Sequence, residues 1–294
     1  MNIKTKRKVN SVLTHILIYA VLFVTIFPIL WMLLASFQPN QSIINANKGL
    51  FDFVPTVENF VSVITKYDFL DYTWNSFVVA AFATIFSLII GVPCAYVVAR
   101  YKMRKASMVV LLVRMIPGIS FLLPWFSIFS KMGLRDSYTA LILSHMLVAL
   151  PFIVWTMIPN FEAIPAALEE AAWIDGCNKY SAFFRIVIRL STPGIVTASL
   201  LAFIFSWNNF MFSLILAGRD TTTLPVAIFN FVSYAYVDWG GLMAAAVMIT
   251  LPIVILSLCL QKHIISGLTA GAVKGEARVL VSQREPRLCG SLFS

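Results

Sequence analysis

Six stretches of the chain, at 12–37, 75–99, 106–128, 138–158, 194–216 and 240–260, are apolar almost without interruption. Each can cross roughly 30 Å of hydrocarbon, which takes about 20 helical residues. Only the third contains a charge, Arg114. In lipid every backbone N–H and C=O must be paired inside the protein, so helices and closed barrels are the only spanning structures. A barrel would alternate apolar and polar residues over about 10 positions, and these runs do not. Composition points the same way: 60% of the 294 residues are apolar and 12% charged, about half the charge of an ordinary soluble domain. The chain reads as an all-α membrane protein with six transmembrane helices. A large soluble enzyme, a disordered chain and a small disulfide scaffold are excluded together.

The 22 basic residues set the orientation. One side holds Lys4, Lys6, Arg7 and Lys8 before the first span, and Arg100, Lys102, Arg104 and Lys105 between the second and third. It also holds Lys179, Arg185 and Arg189 between the fourth and fifth, and Lys262, Lys274, Arg278, Arg284 and Arg287 after the sixth. The other side keeps Lys48, Lys66, Lys131, Arg135 and Arg219. The rich side is expected in the cytoplasm, with both termini. The net charge of +9 then reflects topology and membrane lipids with anionic headgroups, not nucleic acid. The first span follows a basic start, as a signal peptide does. Its apolar run is too long, and no convincing small-residue cleavage site follows, so it reads as an anchor. All 13 acids fall in loops, whereas a proton-driven carrier usually keeps a carboxylate inside the membrane.

One cytoplasmic loop, 159–193, is long and locally organised. Ile164-Pro165 opens a helix whose body, Ala166 to Ile174, is rich in strong helix formers. Asp175-Gly176 reads as its stop, Asn178 as a cap, and Tyr180 to Ile188 as a second, basic and apolar helix. The loop is thus helix, tight turn, helix. Small side chains (Ala171, Ala172) sit beside carboxylates (Glu169, Glu170, Asp175), which suits a partner offering a groove and a cation. The bland alternative is a hairpin lying on the lipid surface, which its acids oppose.

Glu170-Ala171-Ala172-x-x-Asp175-Gly176, followed by Phe183, Ile186 and Pro193, resembles the EAA loop of bacterial ABC importer permeases. Arg114-Met115-Ile116-Pro117, Leu150-Pro151-Phe152, Trp207-Asn208-Asn209-Phe210, Thr223-Leu224-Pro225-Val226 and the run Ser266 to Gly275 are similar to the carbohydrate-uptake branch. The pattern is nearest the smaller permease subunit of the maltose type. The resemblance implies an inner-membrane, multi-pass permease. It would pair with a second permease subunit as a heterodimer, two ATPase subunits, an extracellular or periplasmic solute-binding protein, and a carbohydrate or polyol substrate. It implies that Glu169, Glu170, Ala171, Ala172, Asp175 and Gly176 couple to the ATPase. Within that set Glu170 makes the polar contact, the alanines allow close approach, Gly176 forms the turn and Asp175 braces it. Gly271, Lys274 and Gly275 would reach the ATPase interface. No cofactor is expected on this chain, and ATP with Mg belongs to the partner ATPase. The family usually has proline where this chain has Arg189, and commonly an acid where it has Asn209.

The remaining residues carry weaker signals. Arg114 either runs back to the headgroups or faces the bundle as a gate. Trp207, Asn208 and Asn209 either line a translocation path for sugars or hold helices together. His15, His145 and His263 are isolated, Cys94, Cys177, Cys259 and Cys289 lie far apart, and no metal spacing arises. The external segments 38–74 and 224–237 could touch a binding protein or simply cap the bundle; the second is too short to span and suits an external or re-entrant helix. No phosphate-binding Gly-x4-Gly-Lys-Ser/Thr loop is present, so ATP hydrolysis is assigned to another polypeptide and this chain is not an enzyme. The expected layout is a tail over 1–11, a permease domain over 12–275 and a disordered extension over 276–294. The alternative function is a stand-alone, ion-coupled transporter, which would need internal inverted repeats that the sequence does not reveal. A membrane enzyme lacks any nucleophile or metal constellation.

Overall fold

The computed structural model describes residues 3–44, 52–232 and 236–282, with side chains described for 12–44, 52–232 and 236–262. The chain is helical. Its elements are α1 (Ile3–Ser36), α2 (Asn40–Ile44), α3 (Glu58–Lys66), α4 (Phe69–Arg100), α5 (Arg104–Met115), α6 (Leu122–Lys131), α7 (Tyr138–Glu162), α8 (Ala167–Ile174), α9 (Lys179–Ala182), α10 (Ile188–Leu190), α11 (Thr192–Trp207), α12 (Met211–Leu216), α13 (Leu224–Ala227) and α14 (Trp239–Ser282). Among the described residues the one isolated β pairing is an antiparallel bridge between Val232 and Val237.

Four helices are long and apolar enough to span unbroken: Val12–Ser36, Phe69–Arg100, Tyr138–Glu162 and Trp239–Lys262. They match the first, second, fourth and sixth expected spans. The third and fifth differ. The third breaks into Arg104–Met115 and Gly118–Lys131, bent by 85°. Pro117 explains this, since it offers no N–H to the preceding turn and pushes Ile116 into an extended conformation (φ −69°, ψ 122°). The fifth ends at Trp207 and resumes at Met211. Its start is bent by 74° from the helical segment Lys179–Leu190 before it.

The chain forms two compact units, one of Met1–Thr73 with Ala227–Pro252, the other of Trp74–Val226 with Ile253–Ser294. In the first, α1 is apolar on every face and exposed from Val12 to Leu30, so lipid or a partner helix must cover it. A polar knot gathers beyond its C-terminal end. Asn59 donates to the carbonyls of Ser36 and Gln38, both at 2.8 Å. Asn40 accepts from the Trp239 N–H and donates to the Tyr236 hydroxyl, and Asp238 caps α14 through the Gly241 N–H at 3.0 Å.

In the second unit α7 is the central helix, flanked by α5 and α11. Its Ile153, Val154 and Met157 are fully buried with Ala95 of α4 and Ala198 of α11. Gly91 lets α4 approach closely, since a Cβ there would sit 3.1 Å from the Ile153 side chain. At one end of the unit Asp136, in the left-handed region at φ 54°, accepts from the N–H groups of Gly218, Asp220 and Thr221 and from the Thr221 hydroxyl at 2.7 Å. Partial burial would raise its pKa, but these donors outweigh it and hold the carboxyl below its usual 3.8. A depressed pKa means that the stabilisation is present above the unfolded value and lost as pH falls through the folded one. Asp136→Ala is therefore expected to lower thermal stability in detergent by about 1–3 kcal/mol at neutral pH, with the gap to the parent closing as the buffer is acidified below pH 3.8.

Candidate functional site

The loop 159–193 folds as the expected hairpin. Alanines and glutamates carry α8 to Ile174, and Gly176 at φ 89° ends it. The Gly176 N–H bonds the Trp173 carbonyl at 3.1 Å and the Cys177 N–H the Ala172 carbonyl at 2.9 Å. This paired closure needs a left-handed residue, which costs glycine nothing. Asn178 caps the second arm by accepting from the Ser181 N–H at 2.8 Å. That arm runs through α9, a π-helical turn at Phe183–Val187, and α10.

The two adjacent glutamates point in opposite directions. Glu169 is 1% exposed. It pairs with Arg100 at the end of α4 and accepts a hydrogen bond from the Tyr96 hydroxyl at 2.5 Å. Arg100 also donates to the Ile164 carbonyl at 3.2 Å, at the foot of the hairpin. The Tyr96 ring packs on Phe183 of the second arm (4.7 Å between centroids) and edge-on to Phe161 of α7 (5.7 Å). Tyr96 and Arg100 stand four residues apart and so share a helix face. One face of α4 thereby grips both arms of the hairpin and the end of α7. Ala172, Ala182, Phe183 and Val187 are buried beneath the hairpin, and the last two belong to the same apolar cluster as Met157 and Ala198.

The opposite face is open. Glu170, Ala171, Asp175 and Gly176 are exposed, and beside them stand Ile174 at 86%, Tyr180 at 80% and Phe184 at 65%. Large exposed side chains flanked by charges, Glu170 and Asp175 on the first arm and Lys179 and Arg185 on the second, have the composition of a protein-docking patch. Sequence reasoning named the acids and alanines. It assigned Arg100 only to the basic loop and did not single out Tyr96, Ile174 or Phe184. For Tyr96 and Arg100 the signal was present: a tyrosine and an arginine at i, i+4 closing an apolar span.

The other candidate residues lie apart from this patch. Arg114, at the end of α5, holds its guanidinium 4.9 Å from the Phe152 ring of α7, so it faces a neighbouring helix. Trp207 is buried and stacks on Phe203. The Asn208 amide donates to the Ile204 carbonyl, and the Asn209 side chain accepts from the Phe212 N–H to cap α12. The tract Trp207-Asn208-Asn209 thus forms the break between two helices. Next to it His145 bonds Ser206 at 2.7 Å and lies 3.5 Å from the Ser213 hydroxyl, a buried cluster that no sequence spacing revealed. Gly271, Lys274 and Gly275 fall in α14, which runs past the expected boundary to Ser282; their side chains, and residues 283–294, lie outside the described residues.

Residues 87–269, more than half the chain, match the family of binding-protein-dependent transport system inner membrane components. The chain belongs to that family, and is a multi-pass permease of the bacterial inner membrane. It is 34% identical over 256 residues to the trehalose transport system permease protein SugB of Mycobacterium tuberculosis, covering 85% of this chain and 93% of the relative. It is 34% identical over 260 residues to the trehalose/maltose transport system permease protein MalG of Thermococcus litoralis (86% and 93%). The same identity, over 260 residues, relates it to the diacetylchitobiose uptake system permease protein DasC of Streptomyces coelicolor (87% and 94%). In fold it resembles a chain of a bacterial ABC transporter that imports the acidic polysaccharide alginate, with a TM-score of 0.75 at 20% identity, covering 87% of this chain and 97% of that one.

A buried ion pair with one partner removed strands a charge. Arg100→Met or Glu169→Met alone is expected to cost about 2–4 kcal/mol, and the double substitution less than the two together. Denaturation in detergent, with trypsin cutting at Lys179 and Arg185 as a local probe, measures both.

Proposed function

We propose that this chain is one permease of an ABC importer for a carbohydrate or polyol, that it lines the translocation path with a second permease, and that the 159–193 hairpin is its cytoplasmic contact with a separate ATPase subunit. The observation that carries this reading is the two-sidedness of the hairpin. Glu169 is tied to the end of a membrane helix, while Glu170 and the apolar tip face outward. A docked partner grips Glu170 through a cation and seats Ala171 against its groove. Because the inner face is pinned by Arg100 and Tyr96, a displacement of the tip passes to α4 and α7 as a rigid-body movement. The printed substrates of the relatives, trehalose, maltose and diacetylchitobiose, favour an oligosaccharide cargo.

ATP and Mg are held by two partner ATPase subunits, and this chain hydrolyses nothing. An external binding protein delivers the cargo. The cytoplasmic placement of the hairpin and of both termini follows from the lysine and arginine distribution. A stand-alone ion-coupled carrier is disfavoured by membership of a family defined by its binding-protein partners.

The test is Glu170→Lys in the assembled importer. Substrate-stimulated ATP hydrolysis is expected to fall about tenfold or more, as a cation meets a cation, while the two permeases still co-purify. Undiminished hydrolysis overturns the coupling role. Ile174→Cys tests the sidedness. It is expected to react with a membrane-impermeant thiol reagent in inside-out vesicles and not in right-side-out cells.

A further inference from the structure

Arg114 stands at the mouth of a cavity of about 330 Å3 lined by Pro117, Phe121, Pro151, Phe152 and Phe205. Three independent observations define it. The first is position: Arg114 follows the charged start of α5 at Arg104 by ten residues, roughly 15 Å of helix, and stands just before the 85° bend. The second is the backbone. Ile116 and Pro117 are extended (ψ 122° and 131°), so the helix ladder is interrupted there. The Ile116 N–H turns back to the Val113 carbonyl at 3.3 Å. Non-helical backbone inside a membrane is stable only where protein buries it or a polar cavity receives it. Met115 and Ile116 are 70% and 45% exposed, so this chain does not bury the break, and both residues line the cavity beside it. The third is the lining. Phe152 and Phe205 meet edge to face at 5.0 Å, Phe205 is 47% exposed, and the guanidinium sits over Phe152 with no hydrogen-bond partner among the described residues.

Resting on the permease reading above, we propose that this cavity is a cargo subsite of this chain itself, for a sugar ring of neutral or acidic character. A sugar ring presents hydroxyls that accept from a guanidinium and an apolar C–H face that packs on an aromatic ring. The cavity offers both. Its cation disfavours a protonated amino sugar. The subsite is distinct from Trp207-Asn208-Asn209, whose ring is buried and whose amides are engaged with their own backbone.

The test uses the full importer, with its second permease, ATPase and binding protein, in liposomes, and radiolabelled trehalose, maltose and diacetylchitobiose as probes. The readout is sugar carried per ATP hydrolysed. Arg114→Gln and Phe205→Ala are each expected to lower that ratio about tenfold, the loss of one charge-assisted or stacking contact. An unchanged ratio, with uptake and hydrolysis falling together, assigns Arg114 to a gate and overturns the subsite. A parent that carries none of the three sugars overturns the subsite as proposed for rings of this kind, whereas failed co-purification of the ATPase bears on the coupling role alone. Val148→Cys, on the cavity wall and 38% exposed, supplies a readout independent of folding at Arg114. In a background whose four native cysteines are alanine, it is expected to react with a small charged methanethiosulfonate and to be protected by the transported sugar. Reaction without protection, or no reaction, overturns the proposal.

Discussion

A single carboxylate, Glu169, is the hinge-pin of the arrangement. Buried among apolar neighbours, an unpaired charge would be intolerable. Arg100 and Tyr96 supply its charge and its hydrogen bond, and the geometry that satisfies Glu169 also fixes where the hairpin sits on α4. An all-apolar contact of the same area could slide. A buried pair with two defined partners favours one register. The cluster of Phe183, Val187, Phe161 and Met157 below it supplies the bulk of the cohesion, and the ion pair supplies the alignment.

Much of this was legible in the sequence because two strong signals coincide there. Apolar length announces a membrane helix, and four of the expected spans fall on unbroken helices, although α1 starts well before its expected beginning and α14 runs well past its expected end. Local turn chemistry announced the hairpin, where Gly176 and Asn178 each do what their side chains permit. The misses share a cause. An apolar run cannot report a bend, so the breaks after Met115 and Trp207 passed as continuous helix, although Pro117 and the paired asparagines marked both places. Nor does hydropathy distinguish two adjacent glutamates. Only the tertiary partner, Arg100, decides that Glu169 turns in while Glu170 turns out.

Several polar groups inside the second unit find partners close at hand. His145 reaches Ser206 across to α11, Asn209 caps the helix it interrupts, and Ser144 returns its hydroxyl to the Ala140 carbonyl. Thr84 and Ser87 of α4 are buried without a hydrogen-bond partner among the described residues, and the Arg114 guanidinium has an aromatic ring as its contact.

The π-helical turn at Phe183–Val187 inserts one surplus residue into the second arm of the hairpin. One residue corresponds to about 100° of rotation about a helix axis. Everything on the tip side of that turn, Tyr180 included, is therefore clocked away from the face that uninterrupted periodicity through α10 would give it. Removing a single residue here would leave composition, hydropathy and helix content almost untouched, yet would swing the tip out of alignment with whatever it engages.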